Sequence, residues 1–226
     1  KCRREKWHVK NKEVILMATL ESVAQCVITG NLGEIKGQVQ ALIDAGTAPL
    51  DIINEGLIGG MNIVGPRFKA GEMFVPEVLM AAKAMGAGVE LVKPLLGGDD
   101  MPSLGKVVLG TVKGDLHDIG KNLVGMMLES TGFTVVNVGI DVAPEDFLKA
   151  AKDSGAQIVA MSALLTTTML AMKETVDCFK EAGLNDVKLI VGGAPVSQEF
   201  ADEIGADGFA PDAATACDLC KKLLGC

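Results

Sequence analysis

The chain has no tyrosine, one tryptophan and seven phenylalanines in 226 residues. Its core must come from Val, Ile, Leu, Met and Ala, a palette that suits helices and buried parallel strands better than an antiparallel sandwich. Long apolar runs are also missing. No stretch reaches the roughly eighteen uninterrupted apolar residues of a membrane span. Basic residues are outnumbered, 21 Lys and Arg against 29 Asp and Glu. Six of them fall in the first sixteen positions beside two acids, which leaves residues 17–226 at −12. An acidic body of this kind has few cations to replace phosphate counterions, so neither a nucleic acid nor a membrane is expected as partner.

The first residues, KCRREKWHVKNKEVILM, are basic but lack an apolar segment followed by a small-residue cleavage site, and a cytoplasmic location is expected. Met17 opens a more ordinary stretch, so residues 1–16 read as an N-terminal extension; His8, within it, has no evident task. Six cysteines at 2, 26, 178, 217, 220 and 226 read as reduced thiols in a chain of this length. Cys217-Asp-Leu-Cys220 is a CxxC without a second pair or a His pair, too few ligands for structural zinc. Ordinary helix-face thiols are the expectation there, and core filling is the expectation for most of the eleven methionines.

Two rhythms divide the chain. Leu20, Val23, Ala24, Val27 and Ile28, then Ile35, Val39, Leu42 and Ile43, recur at helical spacing. A third helix is expected from Pro49 to about Val64, ending at Gly65-Pro66, and a fourth from Phe74-Val75-Pro76 to about Leu91. Four helices with short turns make an antiparallel bundle over 17–92. Two prolines, three glycines and paired acids mark 93–105 as a linker, with Gly97-Gly98 as its hinge. From Lys106 onward, strands expected at 107–112, 134–138, 158–162, 187–191 and 208–210 alternate with helices near 119–130, 144–153, 168–182, 196–204 and 212–224. That alternation predicts an α/β domain over 106–226, a flavodoxin-like (Rossmann-like) doubly wound parallel five-stranded sheet in the order 2-1-3-4-5.

In such a sheet, ligands gather at the carboxyl ends of the strands where the connections diverge. Strand one leads into Gly114-Asp115-Leu116-His117, strand three ends at Ser162 before Ala163-Leu164-Leu165-Thr166-Thr167-Thr168, and strand four ends in Gly192-Gly193. Three loops should thus face one crevice. A phosphate site is disfavoured by Asp115 and Asp118, and the glycine spacing matches neither the dinucleotide fingerprint nor a P-loop. A phosphoacceptor domain would want an acid where Ser162 stands, and Ser162 sits on no nucleophile elbow. An exposed imidazole with no task and a metal ligand remain. In the second case Asp115 is the natural acceptor for the other ring N–H.

Asp115-x-His117-x-x-Gly120, Ser162-x-Leu164 and Gly192-Gly193 together resemble the cobalamin-binding signature of methionine-synthase-type corrinoid domains. Met61-Asn-Ile-Val-Gly65 and Gly71-Glu-Met-Phe74-Val-Pro76-Glu-Val-Leu79-Met-Ala81-Ala82 resemble the motifs of the helical cap in those proteins. The resemblance covers almost the whole chain. It implies that His117 is the lower axial ligand of cobalt in cobalamin or a related corrinoid (methylcobalamin, base-off/His-on). It further implies that Asp115 accepts the other imidazole N–H and that Ser162 hydrogen-bonds Asp115. Gly114, Asp115, Leu116, His117, Asp118 and Thr166 would contact the corrin or its tail. The displaced nucleotide tail would run along Gly120, Leu164, Gly192 and Gly193 towards Ala213, and Phe74 would shield the upper methyl ligand. A second shielding position is taken here by a small residue, Ala81 or Ala84.

A chain with cap and cobalamin domain, but no substrate module, is most similar to the stand-alone corrinoid proteins of methyltransferase systems. The resemblance implies a methyl carrier, a subunit and not an autonomous enzyme. One partner, specific for methylamines, methanol or aryl methyl ethers, would load it. A second methyltransferase would pass the methyl to coenzyme M or tetrahydrofolate, and a reductive activase would rescue oxidised cobalt. Two other readings fit less well. A cobalamin-dependent sensor wants a basic DNA-binding segment before the bundle, and a mutase small subunit lacks such a cap.

Overall fold

The computed structural model describes residues 18–96 and 103–226. The expected extension at 1–16 and the Gly97-Gly98 hinge lie outside the described residues.

The helical half contains α1 (Leu20–Ile28), α2 (Ile35–Asp44), α3 (Pro49–Asp51), a π-helical segment (Ile52–Ile58), α4 (Gly59–Lys69) and α5 (Val75–Val92). Thr19 and Ser22 cap α1 reciprocally, each side chain accepting from the other's backbone N–H at 3.0 Å. The run from Pro49 to Lys69 is helical throughout, which corrects the expected stop at Gly65-Pro66. Pro66 lies inside α4, while Val64 is buried and Phe68 packs on the core beyond it. Two turns of apolar packing thus outweigh one missing backbone hydrogen bond. Gly60 is where α1 comes closest: a Cβ there would meet Val27 Cβ at 2.7 Å and the Ala24 carbonyl at 2.8 Å.

The second half alternates β1 (Lys106–Val112), α6 (Ile119–Ser130), β2 (Thr134–Val142), α7 (Pro144–Ser154), β3 (Ile158–Ser162), α8 (Met169–Glu181), β4 (Lys188–Gly192), α9 (Gln198–Ile204), β5 (Gly208–Ala210) and α10 (Ala213–Leu224). All pairings are parallel and the strand order is β2-β1-β3-β4-β5, as the sequence predicts. β2 runs four residues past its expected end at Val138, with two irregularities in its pairing to β1.

Residues alternate between the two faces of the sheet. Val107, Leu109, Ile158, Ala160 and Ile190 join one core, with α6, α10 and the helical half. Val108, Val112, Val159, Met161, Leu189 and Val191 join the other, with Phe147, Met172 and Phe179 from α7 and α8. The helical half therefore shares a continuous apolar core with one side of the sheet. Exposed polar links cross the same boundary: Lys69 pairs with Asp218 at 3.1 Å, and Lys221 donates to Asn62 at 3.4 Å.

The CxxC cysteines fill this core. Cys217 is 3% exposed and Cys220 fully buried, and burial pushes their pKa values up to about 11 and about 12. Among the described residues no group of three or more His, Cys, Asp or Glu is placed to hold a metal ion on its own.

Candidate functional site

The site lies at the carboxyl ends of β1, β3 and β4. The loop after β1 is shaped by Asp115, whose side chain turns back on its own backbone. Asp115 Oδ1 accepts from the His117 backbone N–H at 3.1 Å and stands 2.7 Å from His117 Nδ1. Aspartate readily bonds the amide two residues on, which gives the Asp-x-His spacing a local cause. On the other side, Asp115 Oδ2 accepts from the Leu164 N–H at 2.7 Å, the Leu165 N–H at 3.3 Å and the Thr168 hydroxyl at 2.7 Å. Thr111, fully buried in β1, donates its hydroxyl to the His117 carbonyl at 2.8 Å. Gly114 donates to Asp141 Oδ1 at 2.7 Å, and Asp141 N–H donates to the Asp115 carbonyl at 3.0 Å.

Asp115 is completely buried. Burial alone would raise its pKa. The hydrogen bonds from Leu164, Thr168 and His117 outweigh it and hold the carboxyl well below the usual carboxylate range. A carboxylate at that position assigns the shared proton to His117 Nδ1. Nε2 is left as the ring's uncommitted donor atom, on a side chain 51% exposed.

From His117 a groove of about 610 Å³ runs between the sheet and the α6–α10 pair. Leu109, Ala160 and Ile190 line it from the strands, Leu123 and Val124 from α6, Ala213 and Ala216 from α10, and Phe68 from the helical half. Small residues create the space. Gly120 lines the groove with nothing within 4 Å of where its Cβ would be. Gly193 has a different reason to be glycine: at φ 127°, its Cβ would collide with the Ala163 carbonyl. At Gly192 an added Cβ would likewise come within 2.7 Å of the Ala210 carbonyl oxygen. The glycine pair is therefore required by close backbone approach as well as by the groove beside it.

The structure brings Leu116, His117, Asp118, Gly120, Ser162, Leu164, Gly192, Gly193 and Ala213 into that groove, with Asp115 directly behind His117. Gly114 and Thr166 lie on exposed loops next to it without lining it. Ser162 forms no hydrogen bond to Asp115; the strand carries it to the groove wall instead. The hydroxyl on Asp115 belongs to Thr168, because the loop turns back before α8 and buries Thr168 against the carboxylate. Phe74 is not in the groove. It precedes α5, 66% exposed, and the aromatic wall is Phe68, which α4 reaches by continuing past Pro66. Ala81 and Ala84 are fully buried in the helical core and cannot face a ligand there. Sequence reasoning missed Thr168, Thr111 and Asp141. The Thr166-Thr167-Thr168 run carried a signal for the first, but only the turn selects which hydroxyl points inward.

Residues 105–219 match the B12 binding domain family, and residues 19–93 match a second family of the same description. The chain belongs to the B12-binding corrinoid proteins. It is 42% identical to a corrinoid protein of Desulfitobacterium hafniense over 93% of this chain and all of that one. It is also 42% identical to a dimethylamine corrinoid protein of Methanosarcina barkeri, over 95% and 99% of the two chains. Among solved structures, a cobalamin-binding protein from Desulfitobacterium hafniense superposes with a TM-score of 0.76 at 36% identity, covering 91% and 98% of the chains. The methanol:cobalamin methyltransferase complex MtaBC from Methanosarcina barkeri contains a chain that superposes at 0.83 and 33% identity, covering 91% of this chain and 79% of that one.

The residues fit such a cofactor. A corrinoid needs a nitrogen donor in front of a face and a channel for its displaced tail. His117 Nε2, left free by the Asp115 contact, would supply the first, and the small-residue groove has room for the second. Around them Leu116 (67% exposed), Ile119 (85%), Leu164 and Leu165 leave apolar surface open at the loop tips, as a large apolar ring would require.

Proposed function

We propose that the protein is a methyl-carrying corrinoid subunit in which His117 Nε2 binds cobalt in place of the cofactor's own base. The observation that carries this is the buried Asp115 carboxylate at 2.7 Å from Nδ1, which fixes the tautomer and raises the basicity of the exposed nitrogen. When bound, the cobalt supplies a nucleophile for a methyl group and, later, its leaving group. The chain supplies the rest. Asp115 orients the imidazole and holds the Nδ1 proton. Thr168 and the amides of Leu164 and Leu165 keep Asp115 ionised, while the groove holds the tail along Gly120, Leu164, Gly192, Gly193 and Ala213. Phe74, exposed just before α5 on the helical half and outside the groove, would cover the opposite face.

We assign a methylated amine as methyl source, because dimethylamine and trimethylamine corrinoid proteins of Methanosarcina align at 40–43% identity over at least nine-tenths of this chain. A substrate-specific methyltransferase loads the protein, and a second one transfers the methyl to coenzyme M or tetrahydrofolate. A reductive activase would rescue this carrier when its cobalt is oxidised, and the cytoplasm is the compartment this reading assigns. The five described cysteines are free thiols, and no helix among the described residues is long and apolar enough to cross a membrane.

The test loads the protein with hydroxocobalamin and reduces it. It is then offered mono-, di- and trimethylamine or methanol with the matching methyltransferase, and methylation is followed by absorbance. Methylation with an amine supports the assignment, methylation only with methanol replaces the donor, and none with any donor overturns the carrier role.

A further inference from the structure

Lys121, in the first turn of α6, is 4% exposed, and no carboxylate among the described residues lies within ion-pair distance of it. Its ammonium donates instead to two amide oxygens, Asn122 Oδ1 and Asn137 Oδ1, both at 2.8 Å. Its hydrogen-bond acceptors are neutral and only the nearby Asp118 carboxylate partly offsets its burial, a costly arrangement for which an apolar residue would be the cheaper filler. What it grips is informative.

Asn137 lies on β2 where the pairing with β1 first slips. Leu109 faces Asn137, but Gly110 faces Gly139, and Val112 then faces Val142, so β2 gains two residues over β1. At the first slip Gly139 takes φ 93° and donates its N–H to the same Asn137 Oδ1, at 3.1 Å. One oxygen thus receives both the Lys121 ammonium and the bulged backbone. Two residues on, Asp141 adopts φ 53°, the single non-glycine residue with positive φ among those described. Its carboxylate accepts from Gly114 and its amide donates to the Asp115 carbonyl. Without the slips, Val112 would face Ile140, and Asp141 would be carried away from the His117 loop. The other arm of Lys121 reaches the far end of that loop. Asn122, which accepts from Lys121, donates through Nδ2 to Asp118 Oδ2 at 3.0 Å, and Asp118 directly follows His117.

We propose that Lys121 is a positioning residue that holds the β2 bulge through Asn137, and thereby the Asp141 clamp on Gly114 and Asp115 that presents His117. The placement of the loop is independent of any cofactor; only its consequence for cobalt rests on the ligand reading of His117.

The first experiment uses the cofactor-free protein and reads amide hydrogen exchange residue by residue. Lys121→Met and Asn137→Ala should each accelerate exchange at Gly114 and Asp141 by about tenfold, leaving Leu189 and Ile190 in β4 unchanged. Asn137→Asp keeps an acceptor for both donors and should restore wild-type exchange. If either variant folds cooperatively with Gly114 and Asp141 unaltered, or with acceleration spread evenly through the sheet, the proposal is wrong. Asn137 is exposed, so its variants decide the matter if Lys121→Met does not fold. The second experiment loads the proteins with cobalamin, reduces them to Co(II) and reads the nitrogen splitting of an axial imidazole by electron paramagnetic resonance. Partial loss of that splitting in Lys121→Met supports the proposal, and full retention beside wild type overturns its functional half. Absence of the splitting in the wild-type protein overturns the ligand reading of His117 instead, and leaves the exchange result to stand or fall by itself.

Discussion

The hydroxyl of Thr168 stands 2.7 Å from Asp115 Oδ2, and both residues are buried. It is one of three donors converging on that oxygen, and the one a single substitution can remove without touching the backbone.

Thr168→Val keeps the side-chain shape and deletes that donor. It should cost about 1.5–3 kcal/mol of stability, the usual worth of a hydrogen bond to a charged group. Ser162→Ala should leave Asp115 undisturbed and cost under ~1 kcal/mol, while weakening corrinoid binding by removing a polar group from the groove wall. Chemical denaturation of the two cofactor-free variants separates them; equal losses would return Ser162 to the Asp115 network.

Asp115→Asn turns an acceptor for five donors into a half-donor and should cost about 2–3 kcal/mol at neutral pH. The folded-state pKa of Asp115 is depressed, so its stabilisation is complete above the unfolded value of about 4 and drains away as pH falls towards the folded value. The gap between wild type and variant should accordingly be level from pH 5 to 8 and narrow below about 4. A thermal-melt series against pH checks both the size and the shape.

Two glycines in the site should answer substitution in opposite ways. Gly120→Leu fills open space on α6 and should raise the melting temperature of the cofactor-free protein, since leucine is the better helix former by about 0.7 kcal/mol. The same change should weaken corrinoid uptake by blocking the groove. Gly193→Ala should unfold more easily, by about 2–4 kcal/mol, from the positive φ and the collision with Ala163. Melting curves with and without hydroxocobalamin read both effects.

Exposed Cys226 should alkylate under native conditions, whereas Cys217 and Cys220, buried and pushed up to about 11 and about 12, should react only on unfolding. Mass spectrometry of peptides after a timed iodoacetamide pulse measures the order.

His117→Ala should still fold, because its ring is half-exposed, at a cost of about 1–2 kcal/mol for the lost Nδ1 donor to buried Asp115, yet lose the axial-imidazole signature when loaded. An unchanged cobalt spectrum would count against the coordination.

The sheet was legible because its strands open as short apolar runs separated by helical segments, and because both faces are covered, so alternation was unnecessary. Asp115 and His117 were legible because their relation is local, made within two residues. Thr168 was not, since its contact with Asp115 spans 53 positions and depends on how one loop turns. The path of α4 past Pro66 was hidden for the opposite reason: a local rule for proline was overridden by packing of Val64 and Phe68. The bulge in β2 also escaped, because Gly139 interrupts the apolar run and reads as the strand's end.

At His117 the backbone amide, the backbone carbonyl and Nδ1 all have partners within the chain. Folding has thus already chosen the tautomer and frozen the loop, and the entropy of doing so is absent from any later encounter. On the proposed reading, an incoming metal would meet a fixed target instead of a segment it must organise, and a departing one would leave that target intact for the next.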